Sequence, residues 1–151
     1  KGQGKEVQAV AERASASGSG WLALCGDLEC ELRRMPGEDR PTFMAEYGVE
    51  ELALPRLLRA AYDLLGLQTF YTAGEKEVRA WTVQRGDTAP IAAGKIHTDF
   101  QKSFIRLEVY GVGDLAQYKT EPAIRSAGRM RTEGRDYVMR EEDVCHFLVG
   151  K

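Results

Sequence analysis

Two segments with alternating apolar residues, separated by a short stretch rich in Gly, Ala and Pro, constrain the fold of this chain most strongly. The segments are EVRAWTV (77–83) and SFIRLEVYG (103–111). Their period of two is typical of β-strands that bury one face. Between them, Pro90 followed by IAAG predicts a short helix that ends near Gly94, because proline suits a first helical turn and glycine a helix end. The stretch from Thr69 to Tyr110 therefore predicts a strand–helix–strand unit.

Length and composition are those of a globular chain with one domain or two small ones. The chain has 151 residues, of which 43% are hydrophobic, enough to build a core. Apolar runs such as Trp21–Cys25 are far shorter than the roughly 20 residues of a membrane span, and the first residues lack a signal-peptide pattern. The formal net charge of −2 gives no global attraction to nucleic acid, so RNA binding requires a local patch. We expect neither DNA nor a membrane as a partner, and the sequence leaves the oligomeric state open.

Three cysteines, Cys25, Cys30 and Cys145, form no CxxC pair. An odd count without a secretory signal favours reduced thiols and a cytoplasmic location. A zinc site that combines two of them with His97 and His146 is the alternative, but neither a cysteine knuckle nor a histidine pair at ligand spacing is present. We therefore expect buried or inert thiols and no metal site.

The first third of the chain predicts a helix, a strand and a second helix. The continuous apolar run WLALC (21–25) suits a strand buried on both faces of a parallel sheet, and CGDLECELRRM (25–35) then enters an amphipathic helix. Ligands of open α/β sheets bind at such strand ends, although a plain strand–helix turn is the alternative. The GxGK at Gly2–Lys5 does not complete a phosphate loop, which requires GxxxxGK and then Ser or Thr after a strand.

Two helices follow, over PTFMAEYG (41–48) and over the leucine-rich segment from Leu54 to Leu65, and helical periodicity stops at Gly66. This change predicts a boundary between domains 1–66 and 67–151. In the second domain QTFYTA and VRAWTV predict a hairpin, GDLAQY and EPAIRSAG predict short helices, and strands are expected at 135–139 and 144–149. The predicted class is α+β, with a small mixed sheet wrapped on a helix.

The residues from Phe70 to Val109 resemble a known family. FYTAGEKEVRAWTVQRGDTAPIAAGKIHTDFQKSFIRLEV is very similar to the TGS domain of the YchF/Obg-like ATPase family, a branch of the translation-factor-related P-loop GTPases. The closing RTEGRDYVMREEDVCHFLV resembles the family ending EGKDYVVQDGDVIHFRF, with Glu142 where glycine is usual. The resemblance implies a β-grasp (ubiquitin-like) TGS domain, preceded by the strand–helix tail of an α/β P-loop nucleotide-binding domain.

Before residue 67 the resemblance is looser, but it still implies a nucleotide-binding loop. CGDLECEL resembles the last guanine-nucleotide-fold motif of the family, so Cys25, Gly26 and Asp27 are expected as backbone contacts on the base side, although Cys25 and Asp27 depart from the usual residues. By resemblance the full-length parent hydrolyses ATP with Mg²⁺, and GTP stays open because the base-specificity motif is missing. The chain also lacks the phosphate loop, so we expect it to be the carboxyl-terminal part of such an enzyme, without a cofactor or catalysis of its own.

A basic face is the second candidate site. It draws on cations of the hairpin and of the IHTDF turn: Lys76, Arg79, Arg85, Lys95, His97 and Lys102. Such a face predicts docking to RNA phosphates of the ribosome, with Trp81 as a stacking platform. The alternatives are exposed charges with a local His97–Asp99 hydrogen bond, and a Trp81 that packs in the core. A different function, a protein-binding β-grasp adaptor without catalysis, also remains open.

Overall fold

The computed structural model describes residues 4–74 and 77–150. Contacts divide the chain into two compact units, Lys1–Leu64 and Leu65–Lys151, which are treated separately below. None of the helices in the described ranges has the length and apolar character that crossing a bilayer requires.

The first unit is built from helices at the predicted places. They are α1 (Lys5–Ser17), α2 (Gly26–Arg34), α3 (Arg40–Glu46) and α4 (Ala53–Leu64). Leu32 of α2 is fully buried, which by itself stabilises the unit by about 1.5–3 kcal/mol. Two hydrogen bonds fix neighbouring elements: the Glu29 carboxylate accepts the Ala53 N–H at 2.9 Å, and Arg40 Nε donates to the Leu32 carbonyl at 2.8 Å.

The strand predicted at Trp21–Cys25 is wrong. Residues 21–25 have no helix or strand assignment, and Trp21 and Leu24 are about half exposed. A strand buried on both faces needs neighbouring strands to pair its N–H and C=O groups, and the described residues of this unit offer none. The apolar run is therefore irregular chain that leads into α2.

The second unit contains a mixed five-stranded sheet and belongs to the α+β class, as predicted. Its strands are β1 (Leu67–Ala73), β2 (Val78–Gln84), β3 (Phe104–Gly111), β4 (Arg131–Glu133) and β5 (Asp143–Val149). Their order is β2-β1-β5-β3-β4. β1 and β5 are parallel, whereas the other pairs are antiparallel. The β1–β2 pairing, which runs from Leu67 opposite Gln84 to Ala73 opposite Val78, confirms the predicted hairpin.

Both faces of the sheet carry helices: α5 (Ala89–Ile96), α6 (Thr98–Lys102), α7 (Val112–Tyr118) and α8 (Glu121–Ser126). On one face α5 covers a core that includes Phe70, Val83 and Leu107. On the other face a smaller cluster joins Tyr110 of β3 to Ile124 of α8. Side chains alternate between these faces along each strand, so Leu107 and Tyr110 lie on opposite sides of β3. The helix predicted at Pro90–Gly94 is thus confirmed within α5.

The end of the chain differs from prediction. Residues 135–139 do not form a strand; Val138 contributes only an isolated bridge to Thr88, while β4 lies earlier, at Arg131–Glu133. The buried Asp143 carboxylate explains the difference, because it accepts hydrogen bonds from the Tyr137 hydroxyl and the Arg140 N–H, both at 2.9 Å. These bonds fold the segment into turns. Burial, opposed by the Arg131 hydrogen bond and assisted by the bond to Asp143, raises the pKa of Tyr137.

Candidate functional site

The α5–α6 corner (residues 89–102) carries much of the predicted basic face. α5 begins at Ala89 and has Pro90 in its first turn, and Ala92 and Ala93 are buried completely against the sheet. These small side chains let the helix approach the strands closely, whereas Lys95 on its last turn is exposed. The predicted cations are therefore held on a rigid element rather than on a loose loop.

His97 turns the chain from α5 into α6. Its extended backbone (φ −156°, ψ 138°) ends α5, and its Nδ1 accepts the Asp99 N–H at 3.2 Å, so that it caps α6. A neutral ring that accepts at Nδ1 carries its proton on Nε2. The His97 side chain is 59% exposed, and the Asp99 carboxylate lies 3.6 Å from Nδ1. The local His97–Asp99 hydrogen bond predicted from the sequence is present, and it leaves the imidazole accessible.

Arg79 and Trp81 are two residues apart on β2 and share the face that α5 covers. The Arg79 guanidinium carbon lies 4.2 Å from the centroid of the Trp81 ring, within the range of a cation–π contact. The Trp81 ring also packs against Phe70, with the ring centroids 6.5 Å apart and the planes at 16°. Trp81 is therefore partly a core residue, as the packing alternative predicted, and Arg79 covers its outer face.

An apolar groove connects this pair to the α5–α6 corner. The groove has a volume of ≈ 520 Å³ and is lined by Trp81 of β2, Ile96 and Phe100 of the corner, and Phe147 of β5.

 These side chains line one continuous surface, so the groove places Trp81, on whose ring Arg79 packs, beside Ile96 and Phe100, which flank His97.

Ion pairing distinguishes the lysines of the corner from three arginines near β3 and β4. Among the described residues, no carboxylate pairs with Lys95 or Lys102. Three arginines near β3 and β4 are paired instead: Arg125 with Glu108 at 2.8 Å, Arg129 with Asp114 at 2.9 Å, and Arg131 with Glu133 at 2.9 Å. Charges that are already neutralised attract phosphate weakly, so the corner is the better candidate for an anionic partner.

The paired carboxylates show the effect of these arginines on their pKa values. The hydrogen bond from Arg125 lowers the pKa of Glu108, against a smaller opposing effect of burial. The hydrogen bond from Arg129 likewise lowers the pKa of Asp114, which also accepts the Gly111 N–H at 3.2 Å. The Glu108–Arg125 pair links β3 to α8, and the Asp114–Arg129 pair links α7 to the segment before β4, so both belong to the scaffold.

One of the predicted basic residues, Arg85, lies apart from the corner. Arg85 follows the carboxyl end of β2, whereas Arg79 lies near its start, and six residues of extended strand separate them by about 20 Å. The Arg85 N–H donates to the Gly66 carbonyl at 2.7 Å, so its backbone belongs to the hairpin base. Lys76 lies outside the described residues. The structure therefore groups Arg79 with the corner and places Arg85 elsewhere.

The predicted base-side loop lies at the start of α2. Cys25 is the residue before the helix, no side chain caps the first turn, and Cys25, Gly26 and Asp27 are exposed. Cys25 also lines a cavity of ≈ 650 Å³ together with Trp21, Leu28 and Tyr47. Cys25 and Cys30 are exposed free thiols and only Cys145 is buried, so the expectation of buried thiols holds for one of the three. Within the described ranges, His, Cys, Asp and Glu side chains form no cluster suited to a metal ion.

Sequence reasoning did not identify the apolar members of the site. Ile96 and Phe100 are both half-buried and lie on either side of His97. Their spacing of four residues is a helical signal, but His97 interrupts the helix and the pattern was not assigned to a surface. Their proximity to Trp81 depends on the packing of α5 on the sheet, which one sequence does not reveal.

Comparisons with known proteins agree with this fold. Residues 67–150 match the family model YchF-GTPase_C, described as a protein of unknown function (DUF933). Ribosome-binding ATPase YchF of Escherichia coli O157:H7 is 49% identical over 139 residues, which is 92% of this chain and 38% of that protein. Obg-like ATPase 1 of Gallus gallus is 43% identical over 126 residues, covering 83% of this chain and 32% of that protein. The solved structure of the Schizosaccharomyces pombe YchF GTPase superposes with a TM-score of 0.82 at 34% identity, covering 95% of this chain and 38% of that one.

The second unit is thus an α+β module with a mixed sheet and an exposed cationic corner. The chain belongs to the YchF/Obg-like ATPase family and covers its carboxyl-terminal TGS region. The chain spans 38% of the length of the E. coli relative.

Proposed function

We propose that the second unit is a β-grasp TGS domain that docks a ribosome-associated P-loop ATPase onto ribosomal RNA. The sheet order, with parallel β1 and β5 at its centre and α5 packed across one face, supports the β-grasp assignment. With this assignment we keep the domain limits proposed from the sequence: residues 1–66 for the end of the nucleotide-binding domain and its linker helices, and residues 67–151 for the TGS domain. Relatives that bear the name ribosome-binding ATPase support the choice of the ribosome as partner.

The unpaired cations of the α5–α6 corner carry the proposal. Lys95 and Lys102 have no carboxylate partner among the described residues. The groove runs from Trp81, on which Arg79 packs, to Ile96 and Phe100, which flank the exposed His97. Lys and Arg side chains bind RNA phosphates by releasing counterions. Glu77 and Asp99 lower the net charge of the corner, so we expect docking of moderate strength that selects a local RNA shape. Arg85 lies too far along β2 to be part of this contact.

Salt dependence tests the docking role. The chain is sedimented with ribosomes at salt concentrations between about 50 and about 200 mM. Three phosphate contacts, from Arg79, Lys95 and Lys102, should reduce the affinity roughly 20- to 40-fold over this range, and the variant Lys95→Ala/Lys102→Ala should flatten the slope by about two. Absence of binding at the lowest salt, or binding that salt leaves unchanged, would contradict the proposal.

We propose a second role, in nucleotide binding, for the first unit of a longer family member. The uncapped first turn of α2 offers backbone N–H groups at Gly26 and Asp27, and the neighbouring cavity could hold a flat ring. In the whole protein these residues would contact the base side of ATP, while other segments would supply the phosphate and Mg²⁺ contacts that phosphoryl transfer needs. Adenine or guanine preference would be measured with the full-length protein, and a Gly26→Pro variant that binds ATP normally would exclude the loop.

A protein-binding adaptor is the second candidate function. β2 lies at the edge of the sheet, and Val78 on it is 74% exposed, so another protein strand could pair there. Binding of this kind depends on apolar contact and main-chain hydrogen bonds, so it would resist salt. Ribosome binding that Val78→Asp abolishes and salt does not affect would favour this candidate. The free thiols of Cys25 and Cys30 are compatible with the cytoplasmic location proposed for either function.

A further inference from the structure

Trp81 is locked in place from several directions. It lies opposite Phe70 in the hairpin and packs against that ring, with the centroids 6.5 Å apart. Its indole Nε1–H donates to the Thr72 hydroxyl at 2.9 Å, across to the neighbouring strand. The ring therefore keeps one orientation, so ligand binding does not have to restrict the Trp81 side chain to a single rotamer.

The Arg79 guanidinium packs over this ring. Its guanidinium carbon is 4.2 Å from the Trp81 centroid, and its side chain is 55% exposed. The Arg79 Nη1 atom lies 3.9 Å from Glu77, an exposed pair that is weak and readily screened by salt. A guanidinium plane held on an aromatic ring offers its outer side to another flat, electron-rich ring.

We propose that the Arg79–Trp81 stack seats an unpaired base of single-stranded RNA. The groove lined by Ile96, Phe100 and Phe147 begins beside the stack and provides apolar walls for the base. The cations at Lys95 and Lys102 lie on the adjoining corner and suit the phosphates that flank it. Bases in a duplex are already stacked on one another, so the seat selects unpaired nucleotides. This inference rests on the docking function proposed above and specifies the RNA element that is recognised.

Fluorescence of Trp81 tests the seat directly. The chain has two tryptophans, so Trp21→Phe leaves Trp81 as the single reporter. In this background the chain is titrated with a short mixed-sequence single-stranded RNA and with its duplex of equal length. We expect the single strand to quench Trp81 and to bind at least about fivefold more tightly than the duplex, since one stacked base contributes at least that factor.

Arg79→Lys is the decisive variant because it keeps the charge and removes the flat guanidinium. It should weaken single-strand binding about fivefold or more but duplex binding less than about twofold, because the charge near the phosphates is kept, and it should retain the thermal stability of the parent. Trp81→Phe, which keeps an aromatic ring in the core, should reduce binding less than Trp81→Ala. If Arg79→Lys binds the single strand like the parent while Lys95→Ala/Lys102→Ala does not, docking stands and the base seat is overturned. If the parent binds no RNA or ribosomes at low salt, both proposals are overturned.

Discussion

Glu142 donates its backbone N–H to the carbonyl of Thr69 at 3.0 Å while its φ is +64°. This left-handed conformation is unfavourable for a residue with a Cβ and is readily adopted by glycine. The hydrogen bond ties the turn before β5 to the start of β1, so the turn cannot relax to a more ordinary shape. Glycine is usual at this position in the family that the chain resembles. The left-handed φ of residue 142 gives the physical reason for that preference.

Glu142→Gly should therefore stabilise the second unit. Relief of the left-handed strain is worth about 1–2 kcal/mol, and the greater freedom of glycine in the unfolded chain offsets about 0.5–1 kcal/mol of it. We expect the free energy of unfolding to rise by about 0.5–1 kcal/mol in urea titrations. Glu142→Ala removes the same charge but keeps the Cβ, so it serves as the control and should not stabilise. Equal effects of the two variants would show that charge, rather than backbone strain, dominates.

His97 should act in both stability and binding. Its Nδ1 caps α6 by accepting the Asp99 N–H, a role that asparagine fills well and alanine does not. We expect His97→Ala to lose about 1 kcal/mol in thermal or urea unfolding and His97→Asn to stay within about 0.5 kcal/mol of the parent. Because both variants lack the imidazole, both should weaken ribosome binding roughly twofold to tenfold. If His97→Asn binds like the parent, the histidine serves only as a cap.

The Asp114–Arg129 pair predicts a pH dependence of stability. The pKa of Asp114 is below its ordinary value of 3.8 in the folded protein because Arg129 donates a hydrogen bond to the carboxylate. A depressed folded pKa stabilises the protein above the unfolded pKa, and that contribution is lost as the pH falls through the folded value. Asp114→Asn should thus cost about 1 kcal/mol near neutral pH and progressively less below about pH 3.8. Urea unfolding at several pH values, with the exposed Asp136→Asn as control, measures this difference, which a pH-independent cost would contradict.

The strand and helix pattern of the second unit was predictable where local signals and packing agree. Alternation in 78–83 and a proline-started helix at Pro90 gave the hairpin and α5 correctly. β4 has only three residues, too few to show a period, and the turn at 135–139 depends on a side-chain hydrogen bond from Tyr137 to Asp143, which periodicity does not reveal. The strand prediction for Trp21–Cys25 was wrong because an apolar run forms a strand only where other strands can pair with it.

The candidate site was predictable only in its cations. Lys95, His97 and Lys102 are near one another in sequence, so one turn gathers them. The contact of Arg79 with Trp81 follows from their i, i+2 positions on one strand, but the groove beside them requires α5 to be docked on the sheet. Ion pairing of Arg125 and Arg129 with Glu108 and Asp114 is likewise a tertiary property, and it distinguishes scaffold arginines from free lysines.

A pair of single charge reversals tests most directly whether the α5–α6 corner contacts the ribosome. Lys102→Glu changes the corner, whereas Arg106→Glu makes the same charge change on β3, whose residue 106 lies on the sheet face opposite Leu107 and α5. In ribosome cosedimentation at low salt, we predict that Lys102→Glu weakens binding about tenfold and Arg106→Glu less than about twofold. Equal losses for the two variants, or a larger loss for Arg106→Glu, would contradict docking through the corner.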